Sequence, residues 1–463
     1  MRYNYFNFKK FDDTFLLTND AGKYIFLSPP QMVKLLKNQI TENDELYSEL
    51  QDRFFIFDKS IDLLSSRMSD GIRNNKSYLF SGSSLHIFVL TNECNMSCIY
   101  CQAQDKHPQE KGRMSQEIAE KAINLALSSP SRYLTFEFQG GEPFLNFDTL
   151  KYIVINAEQK SGDKHIRFTV ASNLTLLTDE ILAFLKDHNI SVSVSLDGDQ
   201  ILHDHNRKRI DGKGTFDVTY RNIRRLKEAG IDLCSTQTTT NYSLNRWREM
   251  VDTYIELGFN NIFIRPLTPL GKAYSEWENI GYSATEFLNF YSNALNYILQ
   301  KNIEGYQLIE GHAAIFLKKI LEGYSNNYME LRSPCGAVLG QIAYYYDGEI
   351  YTCDEGRMLS EMGSKSFKLG SVFSSSYNGM MDSPICKAVC SASILESSPT
   401  CSSCVYQPYC GTCPVVNYAL TGDIIAKHPN NYRCQIYGGI LDILFSKLKQ
   451  GEKSILDVFY NWL

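Results

Sequence analysis

Strand-like and helix-like segments alternate from Leu85 to about Gly311, and this alternation constrains the fold more than any other feature of the chain. Each helical pattern separates two apolar runs, so consecutive strands are expected to pair in parallel through crossover helices. We therefore predict an α/β fold with a partial (β/α)6 TIM-like barrel, whose site lies at the carboxyl ends of the strands. The predicted strands are Leu85 to Leu90, Tyr133 to Phe138, Ile166 to Ala171, Ile190 to Leu196, Ile231 to Thr238 and Asn261 to Pro266.

The intervening helices have recognisable ends. Thr178, followed by two acidic residues, is typical of an N-cap, and Gly230 and Gly258 are typical of residues that stop a helix. The predicted helices are Ser115 to Ser128, Thr178 to Asn189, Phe216 to Ala229 and Arg246 to Leu257.

The flanks of the barrel differ from it in composition. We predict four parts: an N-terminal winged-helix-like module over residues 1-80, the barrel over 81-325, a cysteine-rich domain over 326-440 and a C-terminal amphipathic helix over 441-463. The N-terminal part shows two short strands joined by a turn at Asp20-Ala-Gly22, then helical stretches. The cysteine-rich part shows little periodicity, as expected where metal ligation replaces a large core.

Composition excludes several classes of protein. A net charge of −6 argues against bulk attraction to nucleic acid or anionic membranes, and the basic run Arg207-Lys208-Arg209 is expected to be a solvated loop. We find no run long enough for a membrane span and no signal-peptide layout, so we expect a cytoplasmic protein. In that reducing compartment, 13 cysteines indicate metal or redox use.

Three of these cysteines, Cys94, Cys98 and Cys101, are spaced as CxxxCxxC directly after the first predicted strand. Thiolates are the natural ligands of iron–sulfur clusters, and a cubane normally takes four of them. Three closely spaced sulfurs would leave one iron open for chemistry. The alternative is that positions i, i+4 and i+7 form one helical stripe that faces a core.

Polar residues recur where later strands end. Gly140 and Gly141 would let backbone approach a ligand closely, and Glu142 could accept hydrogen bonds from an ammonium group. Asn173 ends the third strand, and Ser195 lies in the Ser-Leu-Asp-Gly198 segment that ends the fourth. Each could be a helix cap. Together they indicate the wall of one pocket.

The motifs at Cys94 to Cys101 and at Gly140 to Glu142 resemble those of the radical S-adenosylmethionine (SAM) superfamily. That resemblance implies that the three cysteines bind a [4Fe–4S] cluster whose open iron is chelated by the methionyl part of S-adenosylmethionine. An electron would then cleave the sulfonium to give a 5′-deoxyadenosyl radical.

The same resemblance assigns cofactor-binding residues by position. These contact different parts of S-adenosylmethionine: Gly140, Gly141 and Glu142 the ammonium, Tyr100 the adenine, and Ser195 with Asn173 the ribose.

The C-terminal cysteines resemble the SPASM extension, which carries auxiliary [4Fe–4S] clusters in enzymes that modify peptides and proteins. The resemblance implies two auxiliary clusters. One would be bound by Cys401, Cys404, Cys410 and Cys434, and the other by Cys335, Cys353 and Cys413.

Two departures from the SPASM pattern concern the second cluster. The pair Cys410 and Cys413 is spaced CxxC, where the family usually has one more residue between, and no cysteine lies shortly upstream of Cys335. The second cluster would then have an open iron, or Cys386 or Cys390 would complete it. An alternative for the whole region is a zinc-ribbon pair, since two CxxC units can bind one Zn²⁺. Cys234, inside the fifth strand, is expected to be a buried core thiol.

Most of the chain is similar to the His-Xaa-Ser system radical SAM maturases (HxsB), through segments such as Leu16 to Tyr24, Glu137 to Pro143 and Asp354 to Gly363. That similarity implies a ribosomal precursor peptide (RiPP) as substrate, an electron donor such as flavodoxin or ferredoxin, and a second radical SAM maturase as partner. It also implies that residues 1-80 bind the precursor's leader by strand addition. The alternative for that module is a barrel cap without a ligand.

The reaction implied is an intrapeptide crosslink, with Asp354 or Glu355 as the candidate catalytic base. A structural ion pair with Arg357 is the alternative for these two residues. Two other functions remain open: an anaerobic sulfatase-maturing enzyme that forms formylglycine, and a zinc-bearing binding protein without catalysis.

Overall fold

The computed structural model of the chain describes residues 2–57, 61–104, 110–324, 328–425 and 431–463. The expected boundary between barrel and cysteine-rich domain, at residues 325 and 326, lies outside the described residues.

The strands form one large sheet and two small ones. The large sheet has the order β12-β11-β10-β9-β8-β7-β6-β13-β14-β15, and its six central barrel strands, β6 to β11, run parallel in chain order. The strands are β1 Arg2–Tyr3, β2 Asn7–Phe11, β3 Thr14–Thr18, β4 Tyr24–Leu27, β5 Ile56–Phe57, β6 Leu85–Val89, β7 Tyr133–Gln139, β8 His165–Ser172, β9 Ser191–Ser195, β10 Leu233–Thr238, β11 Asn261–Arg265, β12 Ile309–Glu310, β13 Gln341–Tyr344, β14 Glu349–Tyr351 and β15 Lys368–Ser371.

Helices connect the parallel strands and cover the outside of the sheet. They are α1 Pro29–Leu36, α2 Glu45–Asp52, α3 Ile61–Asn75, α4 Gln116–Leu127, α5 Phe147–Lys160, α6 Asp179–Asp187, α7 Gln200–Asn206, α8 Phe216–Glu228, α9 Trp247–Glu256, α10 Lys272–Ser275, α11 Trp277–Ile280, α12 Ala284–Ile303, α13 Gly311–Leu317, α14 Asp354–Glu361, α15 Tyr377–Met381, α16 Pro384–Ser393, α17 Pro414–Thr421, α18 Tyr432–Gln450 and α19 Lys453–Asn461.

The predicted partial barrel is confirmed, with each of its six strands within two residues of its expected ends. Thr178 caps α6 as predicted, its side chain accepting a hydrogen bond from the Ile181 amide. Gly230 and Gly258 follow helices with φ of 77° and 70°, which glycine adopts at little cost.

Three expectations about the elements were wrong or incomplete. Helix α5, between β7 and β8, was missed. The cysteine-rich region is not irregular, because β13 to β15 extend the barrel sheet beyond β6. The C-terminal tail is two helices, α18 and α19, separated at Gly451, whose φ of 66° ends α18.

The two faces of the barrel strands carry different residues. In β7, Leu134, Phe136 and Phe138 are buried under the helices, whereas Glu137 and Gln139 alternate with them on the inner face. The barrel interior is therefore polar, as suits a binding cavity.

The N-terminal part contains an antiparallel sheet, β2-β3-β4, and a short pair, β1-β5. One face of the three-stranded sheet packs on α1 and α2 through buried residues such as Leu17 and Leu35. The opposite side contacts the cysteine-rich region: the Thr18 hydroxyl donates to the Val405 carbonyl at 2.7 Å, and the Asn7 amide donates to the Cys404 carbonyl at 3.2 Å.

No helix in the described part of the chain is both long enough and apolar enough to cross a membrane.

Candidate active site and auxiliary cysteine sites

The Cys94 to Cys101 loop follows β6, and its three thiols are half-buried rather than packed in a core. Backbone atoms from other segments hold it. The amides of Ser97 and Ile99 donate to the carbonyls of Lys208 at 2.7 Å and Asn206 at 3.0 Å. On another side, the Lys272 amide donates to the Cys101 carbonyl at 2.9 Å. The loop is not a helical stripe.

The two glycines after β7 are required by this same loop. A Cβ on Gly141 would lie 2.0 Å from the Glu93 carbonyl oxygen, and one on Gly140 would lie 2.3 Å from that of Thr91. The backbone that lies so close to these glycines is thus that of the segment leading into the cysteine loop. It fixes the Gly-Gly-Glu turn beside the three thiols.

Glu142 is almost fully buried at the carboxyl end of the barrel. Its carboxylate accepts from the Ser172 hydroxyl at 2.8 Å, the Asn173 amide at 3.0 Å and the Phe144 amide at 3.2 Å. Burial raises the pKa of Glu142 to about 7, although these three donors act to lower it. A carboxylate has about four acceptor positions, so one remains for a further donor such as an ammonium group.

Asn173 and Ser195 lie at neighbouring strand ends. The Asn173 side chain donates to Asn95 of the cysteine loop at 3.1 Å, so it helps to hold that loop. Ser195 is the last residue of β9 and is half-buried, with Thr236 of β10 beside it in register. The structure therefore brings Asn173 next to the Cys94 to Cys101 loop and leaves Ser195 one strand further along.

Tyr100 takes part in a buried network that sequence reasoning missed. Its hydroxyl donates to both carboxylate oxygens of Asp197, at 2.7 and 2.9 Å, and the Arg207 guanidinium lies 5.2 Å from its ring centre. Arg207 also donates to Asp197 at 3.0 Å. The expectation of a solvated basic run was wrong for Arg207, which is 8% exposed, and right for Arg209. The Ser-Leu-Asp-Gly segment was the available signal for Asp197.

Four C-terminal cysteines line one cavity. Cys401, Cys404 and Cys410 come from the loop before α17, and Cys434 comes from the first turn of α18. Burial, and to a lesser extent the neighbouring thiols, raises the pKa of Cys401 to about 12 and that of Cys434 to about 11. This is the four-cysteine set named for the first auxiliary cluster.

Three further cysteines, Cys335, Cys353 and Cys413, are 2–4% exposed and belong to one buried apolar cluster. Cys386 and Cys390 lie one turn apart on α16, and their interaction lowers the pKa of Cys386 and raises that of Cys390. The apolar residues of α16 that pack in or against the three-cysteine cluster are Val389 and Ile385.

Asp354, Glu355 and Arg357 begin α14, directly after Cys353. Arg357 donates to Asp354 at 2.8 Å and to the Gln139 side chain at 3.2 Å, so the ion pair is present and links α14 to β7. Burial, with the adjacent Glu330 carboxylate, raises the pKa of Glu355 to about 8. Glu355 thus holds its proton near neutral pH.

Cys234 is not the core thiol that we expected. It is exposed, in β10, on the inner face of the barrel and in register with Ser193. Its neighbour Ser235 is the residue that faces the helices, because successive side chains in a strand point to opposite faces.

Comparisons with known proteins agree with this geometry. The family described as the Radical SAM superfamily matches residues 88–254, which span β7 to β10 and the cysteine loop. The solved structure titled "Native anSMEcpe with bound AdoMet" has a TM-score of 0.69 at 20% identity, covering 82% of this chain and 99% of that one. The chain has the radical SAM fold.

Several known proteins are similar to the chain over different shares of its length. A cysteine-type anaerobic sulfatase-maturating enzyme of Clostridium perfringens is 24% identical over 58% of this chain and 74% of its own length. The radical SAM cyclopropyl synthase TigE of Paramaledivibacter caminithermalis is 22% identical over 67% of this chain and 66% of its own. SuiB of Streptococcus suis bound to precursor peptide SuiA has a TM-score of 0.56 at 17% identity and covers 93% of this chain and 99% of that one.

The chemistry of the three thiols in the Cys94 to Cys101 loop fits a [4Fe–4S] cluster. Burial raises the pKa of the Cys94 and Cys101 thiols, and it raises the pKa of Cys98 to about 12. The positive charges of Arg207 and Lys272 act in the opposite direction on Cys98 and Cys101. Cationic neighbours and a deprotonating metal are what buried thiols need to become thiolates.

The described side chains do not form a site for a single metal ion. Within the described ranges, no three His, Cys, Asp or Glu side chains stand close enough together to bind one ion. A zinc site needs its four ligands at about 2.0–2.3 Å from one centre. The described cysteines are thus not placed as a tetrahedral zinc site requires.

Proposed function

We propose that the chain is a radical SAM enzyme of the SPASM type that modifies a ribosomally made precursor peptide. The observation that carries this proposal is the placement of Cys94, Cys98 and Cys101 on one loop, packed against the Gly-Gly-Glu turn at the carboxyl ends of the barrel strands. Within this class we place the chain beside the HxsB maturases, on the sequence motifs quoted above, and in the cytoplasm.

When bound, the cluster of the barrel site with S-adenosylmethionine supplies a 5′-deoxyadenosyl radical that abstracts hydrogen, and two auxiliary [4Fe–4S] clusters supply an acceptor for the surplus electron. The protein contributes orientation. Glu142 has one acceptor position left for the cofactor's ammonium, and Asn173 holds both Glu142 and the cysteine loop. Ser195 and Tyr100 would complete the cofactor pocket.

The reaction that we favour is an intrapeptide crosslink. One hydrogen atom leaves a side-chain or α carbon, the carbon radical bonds to a nearby side chain, and one proton and one electron leave. Asp354 and Glu355 are the candidate bases. Asp354 suits this role better, because Glu355 holds its proton near neutral pH.

The N-terminal part supports a peptide as substrate. Its sheet β2-β3-β4 has two edge strands, and an edge strand can pair with an extended peptide. Residues 1-80 would thus bind the leader of the precursor, with flavodoxin or ferredoxin as electron donor and a second radical SAM maturase as partner. In support, the structure of SuiB bound to its precursor peptide SuiA covers 93% of this chain, whereas the structure of anSMEcpe covers 82%.

A second candidate is a formylglycine-forming, sulfatase-maturing enzyme. The similarity to cysteine-type and serine-type sulfatase-maturating enzymes favours it. In that reaction a Cys or Ser side chain of a sulfatase is oxidised to an aldehyde.

One preparation tests whether the chain is a radical SAM enzyme at all. Anaerobically purified, reconstituted protein is assayed for iron, sulfide and 5′-deoxyadenosine formed from S-adenosylmethionine with dithionite. Three clusters would give about twelve irons per chain. Zinc without iron or cofactor cleavage would overturn the proposal in favour of a binding protein.

The products are then compared after co-expression with the short peptide encoded nearest to this gene. A crosslink removes two hydrogens from the peptide and leaves it unreactive to hydrazide. A hydrazide-reactive aldehyde would instead establish formylglycine formation.

A further inference from the structure

Lys319 is a buried lysine whose position the proposed reaction does not explain. It is 8% exposed and lies in the π-helix Lys318–Glu322 that continues α13. Its ammonium donates to the carbonyls of Leu331 at 2.6 Å and Tyr409 at 2.7 Å. Single π-helical turns are rare and are frequently found at functional sites.

No carboxylate within the described residues lies within 4.0 Å of the Lys319 ammonium. The carboxylate that acts to raise its pKa, Glu396, is paired with Lys76. Two carbonyl dipoles only partly replace the water that a buried ammonium loses, and burying an unpaired charge is costly. Such a cation is stable where an anion lies close to it.

The neighbour that can be that anion is Cys410. Burial lowers the pKa of Lys319 to about 8, and Cys410 is the neighbour that most opposes this by favouring the charged ammonium. Lys319 and Cys410 line the same groove of about 200 Å³ between the N-terminal part and the cysteine-rich region. Cys410 also lines the cavity of the four cysteines, so it stands in the wall between that cavity and Lys319.

We propose that Lys319 supplies the positive charge that balances an anionic cluster bound by Cys401, Cys404, Cys410 and Cys434, and that it raises the reduction potential of that cluster. A one-electron reduction adds a negative charge to the cluster, and a nearby cation in a medium of low dielectric constant stabilises the reduced state more than the oxidised state. Lys319 thus acts on the cluster through its positive charge and does not itself bind iron. The inference rests on the auxiliary-cluster part of the proposed function.

The test is a redox titration followed by electron paramagnetic resonance. It uses the full chain carrying Cys94→Ala, Cys98→Ala and Cys101→Ala, so that auxiliary clusters alone contribute, and the signal lost on adding Cys434→Ala identifies the relevant cluster. Lys319→Met is compared with Lys318→Met, a matched control in which the lysine pairs with Glu322 at the surface.

We expect Lys319→Met to lower the equilibrium constant for reduction at least tenfold, which is about 59 mV for one electron. Lys318→Met should change it less than twofold, and Lys319→Arg, which keeps the charge, should stay near the parent. A Lys319→Met protein with full iron and an unchanged potential would overturn the inference.

Iron content keeps the outcomes distinct. If Lys319→Met loses iron, Lys319→Gln, whose amide can still donate to the two carbonyls, is titrated in its place. Loss of iron from both with retention in Lys319→Arg supports a need for charge, whereas loss from all three shows that the shape of lysine is what matters and overturns the inference. If the parent of this series binds no iron, the auxiliary clusters themselves are absent and the proposed function fails at that point.

Discussion

The cysteine site of the barrel and those of the C-terminal region are built in opposite ways. In the barrel, three thiols lie within one loop, and backbone atoms of residues 206–209, 272 and 140–142 hold that loop from outside. In the C-terminal region, the four cysteines that share a cavity come from two segments, one before α17 and one at the start of α18. The barrel loop is thus held through backbone atoms of other segments, whereas the two segments of the four-cysteine cavity are joined by side chains, such as Tyr406 with Asp442 and Phe445 of α18.

The largest effect is expected from removing the barrel thiols. Cys94→Ala, Cys98→Ala and Cys101→Ala together should reduce 5′-deoxyadenosine formation to the uncatalysed level, because the chain then has no ligands for the cluster that binds S-adenosylmethionine. About eight of twelve irons should remain, since the frame of the C-terminal sites is untouched. High-performance liquid chromatography of the nucleoside and iron analysis measure both.

The exposed barrel thiol provides the control. Cys234→Ala lies in the same barrel and should leave nucleoside formation unchanged. Nucleoside formation that survives the triple substitution would show that the Cys94 to Cys101 loop is not the site of cleavage.

A smaller effect should follow from weakening the frame of the barrel loop. Arg207→Met leaves the Asp197 carboxylate buried without its cation, and breaking a buried pair in this way costs about 3–5 kcal/mol. We expect a lower midpoint of thermal unfolding. Adding Asp197→Asn to Arg207→Met should restore part of the lost midpoint temperature, because the buried side chain at position 197 is then neutral. Differential scanning calorimetry of the protein before reconstitution with iron measures the change.

Arg209→Met serves as its control, since the side chain of Arg209 is 53% exposed in the same basic run. Equal midpoints for Arg207→Met and Arg209→Met would mean that the buried pair does not stabilise the loop.

The smallest effect is expected at the two thiols of α16. Substituting Cys386 and Cys390 together by Ser should leave the iron content unchanged, because α16 meets the three-cysteine cluster through Val389 and Ile385 and not through these thiols. Cys353→Ser, made alongside, should lose iron. A loss of about four irons from the α16 variant would instead make one of these cysteines the fourth ligand of the second cluster.

How much of the fold and of the candidate site the sequence predicted depends on whether the signal is local or arises only from tertiary contacts. The barrel strands, the cysteine loop and the Gly-Gly-Glu turn are local patterns, and each was located correctly. Arg207 was misjudged because the turn that brings it back to Asp197, ten residues earlier, follows no simple periodicity. Cys234 was misjudged because whether a side chain of β10 faces the helices or the barrel interior depends on how the whole sheet closes. The extension of the sheet by β13 likewise depends on its pairing with β6, from residues far earlier in the chain.

Helix α5 shows a different reason for failure. Its signal is local but was overlooked. The residues Thr149, Leu150, Ile153, Val154 and Ala157 form a buried stripe at helical spacing.

The contact between the N-terminal sheet and the cysteine-rich region limits how this protein can be rebuilt. The side chains of Asn7 and Thr18 satisfy the carbonyls of Cys404 and Val405, one within and one directly beyond the Cys401 to Cys404 pair. A shortened chain without these strands would expose those carbonyls, and a hybrid carrying another protein's N-terminal part would need equivalent donors at the same two points. The N-terminal part therefore cannot be exchanged as a free-standing adaptor, since its side chains hold the backbone of the loop that carries three of the four cysteines.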